Sequence, residues 1–420
     1  MRDTGARVKR ARPALADIRH RTWELRTHDC AEQGPNVRVG ILTSGRPGDR
    51  MRWSGSTNAM VDSLERRVEA VEHLGPSRPL SLRLGRLASV LIKHSAGRTI
   101  LYELDPIVAR AHARVMGRRL VDANVDVLFA PAAGPEIAYL DTELPIVYSI
   151  DLSFRQLASD YHQVRDALSW SQRRAESVEM RAMRRSSAIV VPTPWAADSF
   201  RDDYGVPETR LHVVPFGANL DEEPPADVGG AIEPAGPCEL LFVGMDWVRK
   251  GGDIALETLD ALRRRGLDAR LTIVGCRPPD GTARDGVTVV PFLDKADPVG
   301  RRALYDLYAR GHFLVVPTRG EAFGIVFAEA AAFGLPSLAP DVGGLSHVVV
   351  PGRTGILMRP EDRGEAYADA IMDLWGDALA YRQLREAARR EYERSLNWDA
   401  WGDAVVAILD RAVREAAEAR

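Results

Sequence analysis

Cysteine is scarce in this chain: 420 residues hold three, Cys30, Cys238 and Cys276, far apart and odd in number. That excludes a disulfide framework and a zinc cluster, and it fits a reducing cytoplasm. No apolar run approaches the ~18–20 residues that cross a bilayer. Basic residues show no excess over acidic ones (56 against 59), which argues against a protein that coats nucleic acid. Lysine is nearly missing too, since Lys9, Lys93, Lys250 and Lys295 are the only lysines among the 56 basic residues. Ammonium and guanidinium groups are not interchangeable at a charged site, so each surviving lysine merits inspection. What remains is an ordinary globular composition, 45% hydrophobic and 27% charged. The length suits two or three domains of ~100–200 residues each.

Charge is unevenly spread. Residues 1–26 hold eight basic and three acidic side chains, without the apolar core of a secretory signal. The expectation for 1–36 is a disordered basic extension or a start codon set too far upstream. An arm for a membrane surface or a partner is the other reading.

From Val37 onward, short apolar runs alternate with longer amphipathic ones. Residues 37–42 read as a buried first strand. A glycine-rich loop follows through Gly55, and a helix is predicted from Asn58 to about His73. Further strands are predicted at 125–130, 146–150, 188–191 and 212–216, with one helical stretch over 163–185. Residues 219–237, dominated by proline, glycine and acid, read as an interdomain linker. A second series begins at 239–244, with strands at 269–274, 287–291, 313–317, 337–339 and 356–358. Past Asp377 only helical patterns remain. Such alternation predicts an α/β chain of parallel sheets covered on both faces. The expected parts are an N-terminal doubly wound domain (37–218), a second one (238–396) and a C-terminal helix (397–420). Ligands of such sheets bind beyond the carboxyl ends of the strands, so a cleft between the domains is the expected site.

Two stretches carry chemistry. In Pro317-Thr-Arg-Gly-Glu-Ala-Phe-Gly-Ile325 a strand ends at Pro317, a turn carries Glu321, and a helix starts near Gly324. The backbone N–H groups of Phe323, Gly324 and Ile325 then lie at an uncapped helix start, which favours an anion. Glu329 falls about a turn and a half inside that helix, so both glutamates can face one ligand. Read singly, Glu321 is as well explained as a carboxylate favoured by the helix dipole, and Glu329 as a solvated helix residue. In Phe242-Val-Gly-Met-Asp-Trp-Val-Arg-Lys-Gly-Gly252, Gly244 permits a tight loop after a strand, and Arg249 and Lys250 precede a new helix. Adjacent cations at such a turn suit a phosphate or diphosphate; alone, they are equally a surface pair.

Taken together, the two stretches resemble the family 4 glycosyltransferases, a large group of retaining, nucleotide-sugar-dependent enzymes. That resemblance implies the GT-B fold: two doubly wound Rossmann-like domains facing across a cleft, with a helical C-terminal tail returning to the first. Glu321 and Glu329, with seven residues between them including Phe323-Gly324, are similar to the most diagnostic motif of the family. Residues 244–251 are similar to its donor-phosphate loop. Trp195, residues 213–219, Gly343-Gly344, residues 352–355 and the Trp398 region also match, while Trp53-Ser-Gly-Ser56 and Tyr148-Ser-Ile-Asp151 resemble a bacterial branch. By this resemblance Lys250 and Arg249 hold the donor diphosphate and stabilise its departure. Glu329 binds the nucleotide ribose hydroxyls. Glu321 contacts the donor sugar near its anomeric centre, with backbone donors at Phe323, Gly324 and Ile325. Gly55 lets the first-domain loop approach the phosphate, and Phe292-Leu293 falls where the base sits.

There are two departures. Ile150 occupies a position where many members carry a histidine, so a catalytic contact passes to Asp151. Met245 replaces an arginine, with Arg249 available to compensate. No two aspartates are separated by a single residue, as in the metal-dependent transferases, and the nine histidines lack ligand spacing. The expectation is therefore no metal and no cofactor. The expected partners are a nucleotide-sugar donor and a carbohydrate, lipid-linked or small-molecule acceptor, with no nucleic acid. The alternative is a non-catalytic nucleotide-sugar-binding protein on the same fold, against which the intact Glu321, Glu329, Arg249 and Lys250 stand. A pyridoxal-dependent phosphorylase needs a Schiff-base lysine, and Lys295 in its charged loop does not suit that role. Lastly, residues 79–94 put Leu80, Leu84, Leu87 and Leu91 on one helical stripe, with Arg83, Arg86 and Lys93 elsewhere. Such stripes usually face the core, so packing on the first sheet is expected. The other reading is a peripheral contact of a cytoplasmic protein with anionic lipid at the inner membrane face.

Overall fold

The structure, a computed structural model, describes residues 37–43, 45, 52–225, 234–279 and 284–420. The basic stretch 1–36 and residues 226–233 of the expected linker lie outside the described residues.

Two six-stranded parallel sheets form the frame. The first contains β1 (Arg38–Ile41), β2 (Ala70–His73), β3 (Val127–Pro131), β4 (Ile146–Ser149), β5 (Ala188–Val191) and β6 (Leu211–Val213), in the order β2-β1-β3-β4-β5-β6. The second contains β7 (Cys238–Val243), β8 (Ala269–Val274), β9 (Val287–Val290), β10 (Phe313–Val315), β11 (Ser337–Pro340) and β12 (Gly355–Met358), in the order β12-β11-β10-β7-β8-β9. The central strands β3 and β4 are buried at every position, as apolar strands between two helical layers must be. The first domain carries α1 (Ser56–Glu65), α2 (Leu80–Ala96), α3 (Pro106–Leu120), α4 (Gly134–Ile137), α5 (Phe154–Asp160), α6 (His162–Arg165), α7 (Ser169–Arg185) and α8 (Pro194–Asp202). The second carries α9 (Gly252–Arg264), α10 (Pro298–Arg310), α11 (Ile325–Ala332), α12 (Gly364–Trp375) and α13 (Ala378–Ser395), and α14 (Trp398–Glu418) ends the chain.

The tail returns to the first domain, as the resemblance implies. Asn397 caps α14 by accepting the Ala400 N–H at 2.8 Å. Trp401 then packs edge-on against Phe129 of β3 with ring centres 5.8 Å apart. The Ser63 hydroxyl of α1 donates to the Trp398 carbonyl at 2.6 Å, and Arg67 pairs with Asp399 and Asp403.

Three local expectations are corrected. The helix predicted to reach His73 ends at Glu65, and Ala70–His73 forms an edge strand paired with β1. The Leu74 N–H is thereby given to the Ile41 carbonyl at 3.0 Å. The stretch 163–185 is interrupted between α6 and α7, where Arg98 donates to the Asp166 and Ala167 carbonyls and Leu168 donates to Thr99. These long-range bonds satisfy the backbone that a continuous helix would have satisfied locally. Finally, the apolar stripe of α2 does not face the sheet. Leu80 and Leu91 are 68% and 70% exposed, and Leu84, Leu87 and Val90 are exposed beside them. The helix rests instead on the face that carries Gly85, which comes so close to Tyr102 that an added Cβ would lie 2.9 Å from it.

Candidate functional site

The site lies at the carboxyl ends of both sheets. After β7 the chain turns at Gly244, and the Arg249 and Lys250 N–H groups are given to the Asp246 side chain and carbonyl, each at 2.9 Å. Gly251 follows at φ 74°, a left-handed conformation, and a Cβ there would lie 2.0 Å from the Pro317 carbonyl. Only glycine fits so close a crossing. The Arg249 carbonyl accepts the Arg319 N–H at 2.7 Å and the Thr318 hydroxyl at 3.1 Å. The cation loop is thus stitched to the turn after β10.

That stitching brings Lys250 onto Glu321. The Lys250 ammonium donates to the Glu321 carboxylate, and the Arg249 guanidinium donates to the Gly320 carbonyl at 3.0 Å and reaches Glu321 at 3.4 Å. Lys250 and Glu321 are 9% and 8% exposed, so this is no surface pair. Burial alone would raise the Glu321 pKa, but the charges of Lys250 and Arg249 outweigh it and hold the carboxyl below its usual value. Glu321 is an anion at neutral pH. Its carbonyl accepts the Gly344 N–H at 3.1 Å, which anchors the turn from the other side.

Helix α11 starts just beyond. Gly324 is its N-cap at φ 78°, no side chain caps it, and Ile325 is its first residue. Its free N–H dipoles favour an anion there. Phe323 is buried against Phe216, ring centres 5.4 Å apart, and Phe216 stacks on Trp398 at 5.9 Å. Glu329, 2% exposed, is not a solvated helix residue. One of its carboxylate oxygens accepts from Lys295 and the other from the Tyr308 hydroxyl at 2.9 Å. The two glutamates therefore hold separate partner sets. Lys295 was missed as a site residue; its rarity as one of four lysines was the one available signal. It also reaches the Asn219 carbonyl at 3.5 Å, while Asn219 bonds to Ser56 of α1 and to the Trp398 indole. Leu293 is half-buried between β9 and α10, next to exposed Phe292.

The first domain supplies the opposite wall. Asp151 follows β4, and the Trp53 indole N–H donates to its carboxylate at 3.0 Å. Burial pushes the Asp151 pKa up to about 6, with the Glu321 charge adding to the rise and hydrogen bonds from Trp53 and the backbone opposing it. Behind it, burial lifts Glu179 to about 7, although the Tyr148 hydroxyl bonds to it at 3.3 Å. Gly55, at φ 87°, is the N-cap of α1. The Tyr161 ring lies 5.4 Å from the Arg249 guanidinium, so a first-domain side chain touches a second-domain cation. Among the described residues, no group of three or more His, Cys, Asp or Glu is placed to hold a metal ion.

Comparison with known proteins agrees with this fold. The family described as Glycosyltransferase Family 4 matches residues 57–222, and that described as Glycosyl transferases group 1 matches residues 237–377. The chain is 32% identical over 262 residues to a D-inositol 3-phosphate glycosyltransferase of Geodermatophilus obscurus, covering 57% of this chain and 56% of that protein. The match therefore spans little more than half the length of that relative. A glycogen synthase of Mycobacterium tuberculosis is 28% identical over 332 residues, covering 73% of this chain and 75% of its own. Among solved structures, sucrose-phosphate synthase from Thermosynechococcus elongatus superposes with a TM-score of 0.61 at 18% identity, over 92% of this chain and all of that one. Anabaena HepE in complex with UDP-glucose does so with a TM-score of 0.55 at 16% identity, again over 92% and 100%. These structural likenesses carry the fold alone. With the fold, the two family matches and the paired glutamate motif in agreement, the chain belongs to the family 4 glycosyltransferases, built on the GT-B fold.

Proposed function

We propose that this chain is a metal-independent, retaining glycosyltransferase that moves a sugar from a nucleotide-diphosphate sugar to an acceptor hydroxyl. The observation that carries the reading is the convergence of Lys250 and Arg249 on buried Glu321, beside the uncapped start of α11 and opposite Asp151. Fixed cations and backbone dipoles stabilise the charge that develops on a departing diphosphate, and they need no reorganisation as the bond breaks. Here Lys250 and Arg249 hold the diphosphate, and Phe323, Gly324 and Ile325 present backbone donors. Gly244 and Gly55 keep the two loops close to it. Glu329 receives the ribose hydroxyls, and Leu293 borders the base. Glu321 orients the donor sugar. Asp151 contacts the acceptor or the donor sugar from the other wall.

In this mechanism the acceptor oxygen attacks the anomeric carbon on the face the diphosphate leaves. The carbon–oxygen bond to phosphate breaks, the bond to the acceptor forms, and the acceptor proton passes to the departing phosphate oxygen. A general base on the opposite face is then unnecessary. The acceptor is a carbohydrate, a lipid-linked molecule or another small molecule. No helix among the described residues is long and apolar enough to cross a membrane, and the exposed leucine stripe of α2, flanked by Arg83, Arg86 and Lys93, supports peripheral contact with anionic lipid of a cytoplasmic protein.

The test is a panel of UDP-, GDP- and ADP-sugars, reading thermal stabilisation and slow donor hydrolysis. At least one donor is expected to stabilise the protein and to be hydrolysed. Neither effect with any donor would count against a transferase.

A further inference from the structure

The cleft wall around Asp151 contains one group that the transfer mechanism leaves unexplained, the side chain of Trp53. Its backbone has φ 49°, a region bulky residues rarely adopt and that persists only where the surroundings enforce it. Its half-buried ring meets Phe216 edge-on at 5.4 Å, and Phe216 is itself held by Phe323 and Trp398. The indole direction is therefore set from both domains and the tail. Its N–H reaches Oδ2 of Asp151 at 3.0 Å, and an indole N–H only donates.

We propose that Trp53 is a positioning residue: its indole N–H aims the Asp151 carboxylate into the cleft and keeps it ionised for contact with a sugar hydroxyl. The sequence offers no titratable donor at the neighbouring position, where Ile150 stands. Burial and the charge of Glu321 favour its neutral form. Glu321 faces it from the second domain, with Lys250 and Arg249 committed to Glu321 rather than to Asp151. Tyr148 and Glu179 lie behind it, and Tyr161 lies beside it from the turn between α5 and α6. Against burial and the Glu321 charge stand the Trp53 indole and the backbone N–H groups of Asp151 and Leu152. Among the described residues, Trp53 is the one side chain that donates a hydrogen bond to Asp151.

The proposal rests on the contact role given to Asp151 above, and the experiment separates the two. Full-length wild type, Trp53→Phe and Trp53→His are compared in kcat and KM against pH, using whichever donor and acceptor pair turns over. In parallel, carboxyl carbon NMR follows the titration of Asp151, assigned with Asp151→Asn. Phe keeps a ring and loses the donor, so the Asp151 titration and the acid limb of kcat both move up by about one pH unit. That costs about fivefold in kcat near pH 6 and little near pH 8.5, with donor KM within about twofold. His restores a ring N–H and brings the limb back. In the Asp151→Asn background, Trp53→Phe adds no further loss. An unmoved Asp151 titration in Trp53→Phe, or an equal loss of activity at every pH, overturns the proposal. The NMR arm reads whether or not the chain transfers sugar, so failure of the transferase reading remains distinguishable.

Discussion

Lys295 closes as an ion pair on the buried carboxylate of Glu329, whose second oxygen is held by Tyr308 at 2.9 Å. On the proposed reading, a nucleotide ribose shares or displaces these donors at Glu329. Glu329→Ala is expected to weaken nucleotide binding by ~1.5–3 kcal/mol, the usual worth of a hydrogen bond to a charged group. Calorimetry with the free nucleotide diphosphate reads this directly, and an unchanged affinity would remove Glu329 from the site.

Lys250→Ala should act mainly on turnover, because charge on the diphosphate grows as the glycosidic bond breaks. A loss on the order of 10²-fold in kcat is expected, comparable with removing one preorganised donor from an oxyanion site. Activity within twofold of wild type would reduce Lys250 to a structural partner of Glu321. The same assay should continue in EDTA, since the fixed cations supply the countercharge. Complete loss restored by manganese would contradict that.

Asp151 and Glu321 respond to pH with opposite sign. The folded pKa of Asp151, about 6, lies above the ordinary aspartate value, so its ionised form costs stability above pH 6 and the cost fades as pH falls through 6. Asp151→Asn is therefore expected to raise the melting temperature at pH 8 by about 2 °C, with the gain shrinking toward pH 4.5, while lowering activity. Glu321 has a depressed pKa; its contribution is present at neutral pH and is lost as pH falls below the ordinary glutamate range. Calorimetric scans from pH 3 to 8 check both signs. A gain from Asp151→Asn that grows on acidification would refute the assignment.

The exposed leucines of α2 predict binding to anionic vesicles in co-sedimentation, with weaker binding to neutral ones. Leu84→Glu combined with Leu87→Glu should abolish it, since both side chains face solvent and their loss leaves the core intact. Wild-type protein that stays in the supernatant with anionic vesicles would remove the lipid contact.

Stereochemistry tests the mechanism most directly. Same-face attack from an α-linked nucleotide sugar yields an α-linked product, read from the anomeric proton coupling in NMR. A β-linked product would require a base on the opposite face and would reassign both Glu321 and Asp151.

Much of this was legible in the sequence because the relevant signals are local. Apolar strands of three to six residues alternate with amphipathic helices, and that alternation determines parallel sheets with their ligand edge at the strand ends. Glycines at Gly251 and Gly324, placed where the backbone must turn left-handed, marked the two loops beside the candidate site. Glu321, Glu329, Arg249 and Lys250 stand at fixed distances from those turns, so their place at the strand ends followed from chain order, but the meeting of Lys250 with Glu321 did not.

What depended on distant segments was decided only by the tertiary structure. Ala70–His73 became a strand because β1 offered it a partner, and 163–185 broke because Arg98 and Thr99 took over its backbone bonds. The α2 stripe turned outward because the close approach to Tyr102 accepts Gly85 and not leucine. Lys295 found Glu329, Trp53 found Asp151, and Tyr161 came to lie over Arg249. Lys295 and Glu329 meet within the second domain and Trp53 and Asp151 within the first, whereas Tyr161 and Arg249 meet only because the two sheets bring their carboxyl ends together. Periodicity reports which face of an element is apolar, whereas a pairing of side chains depends on how whole elements cross, and no local pattern encodes that.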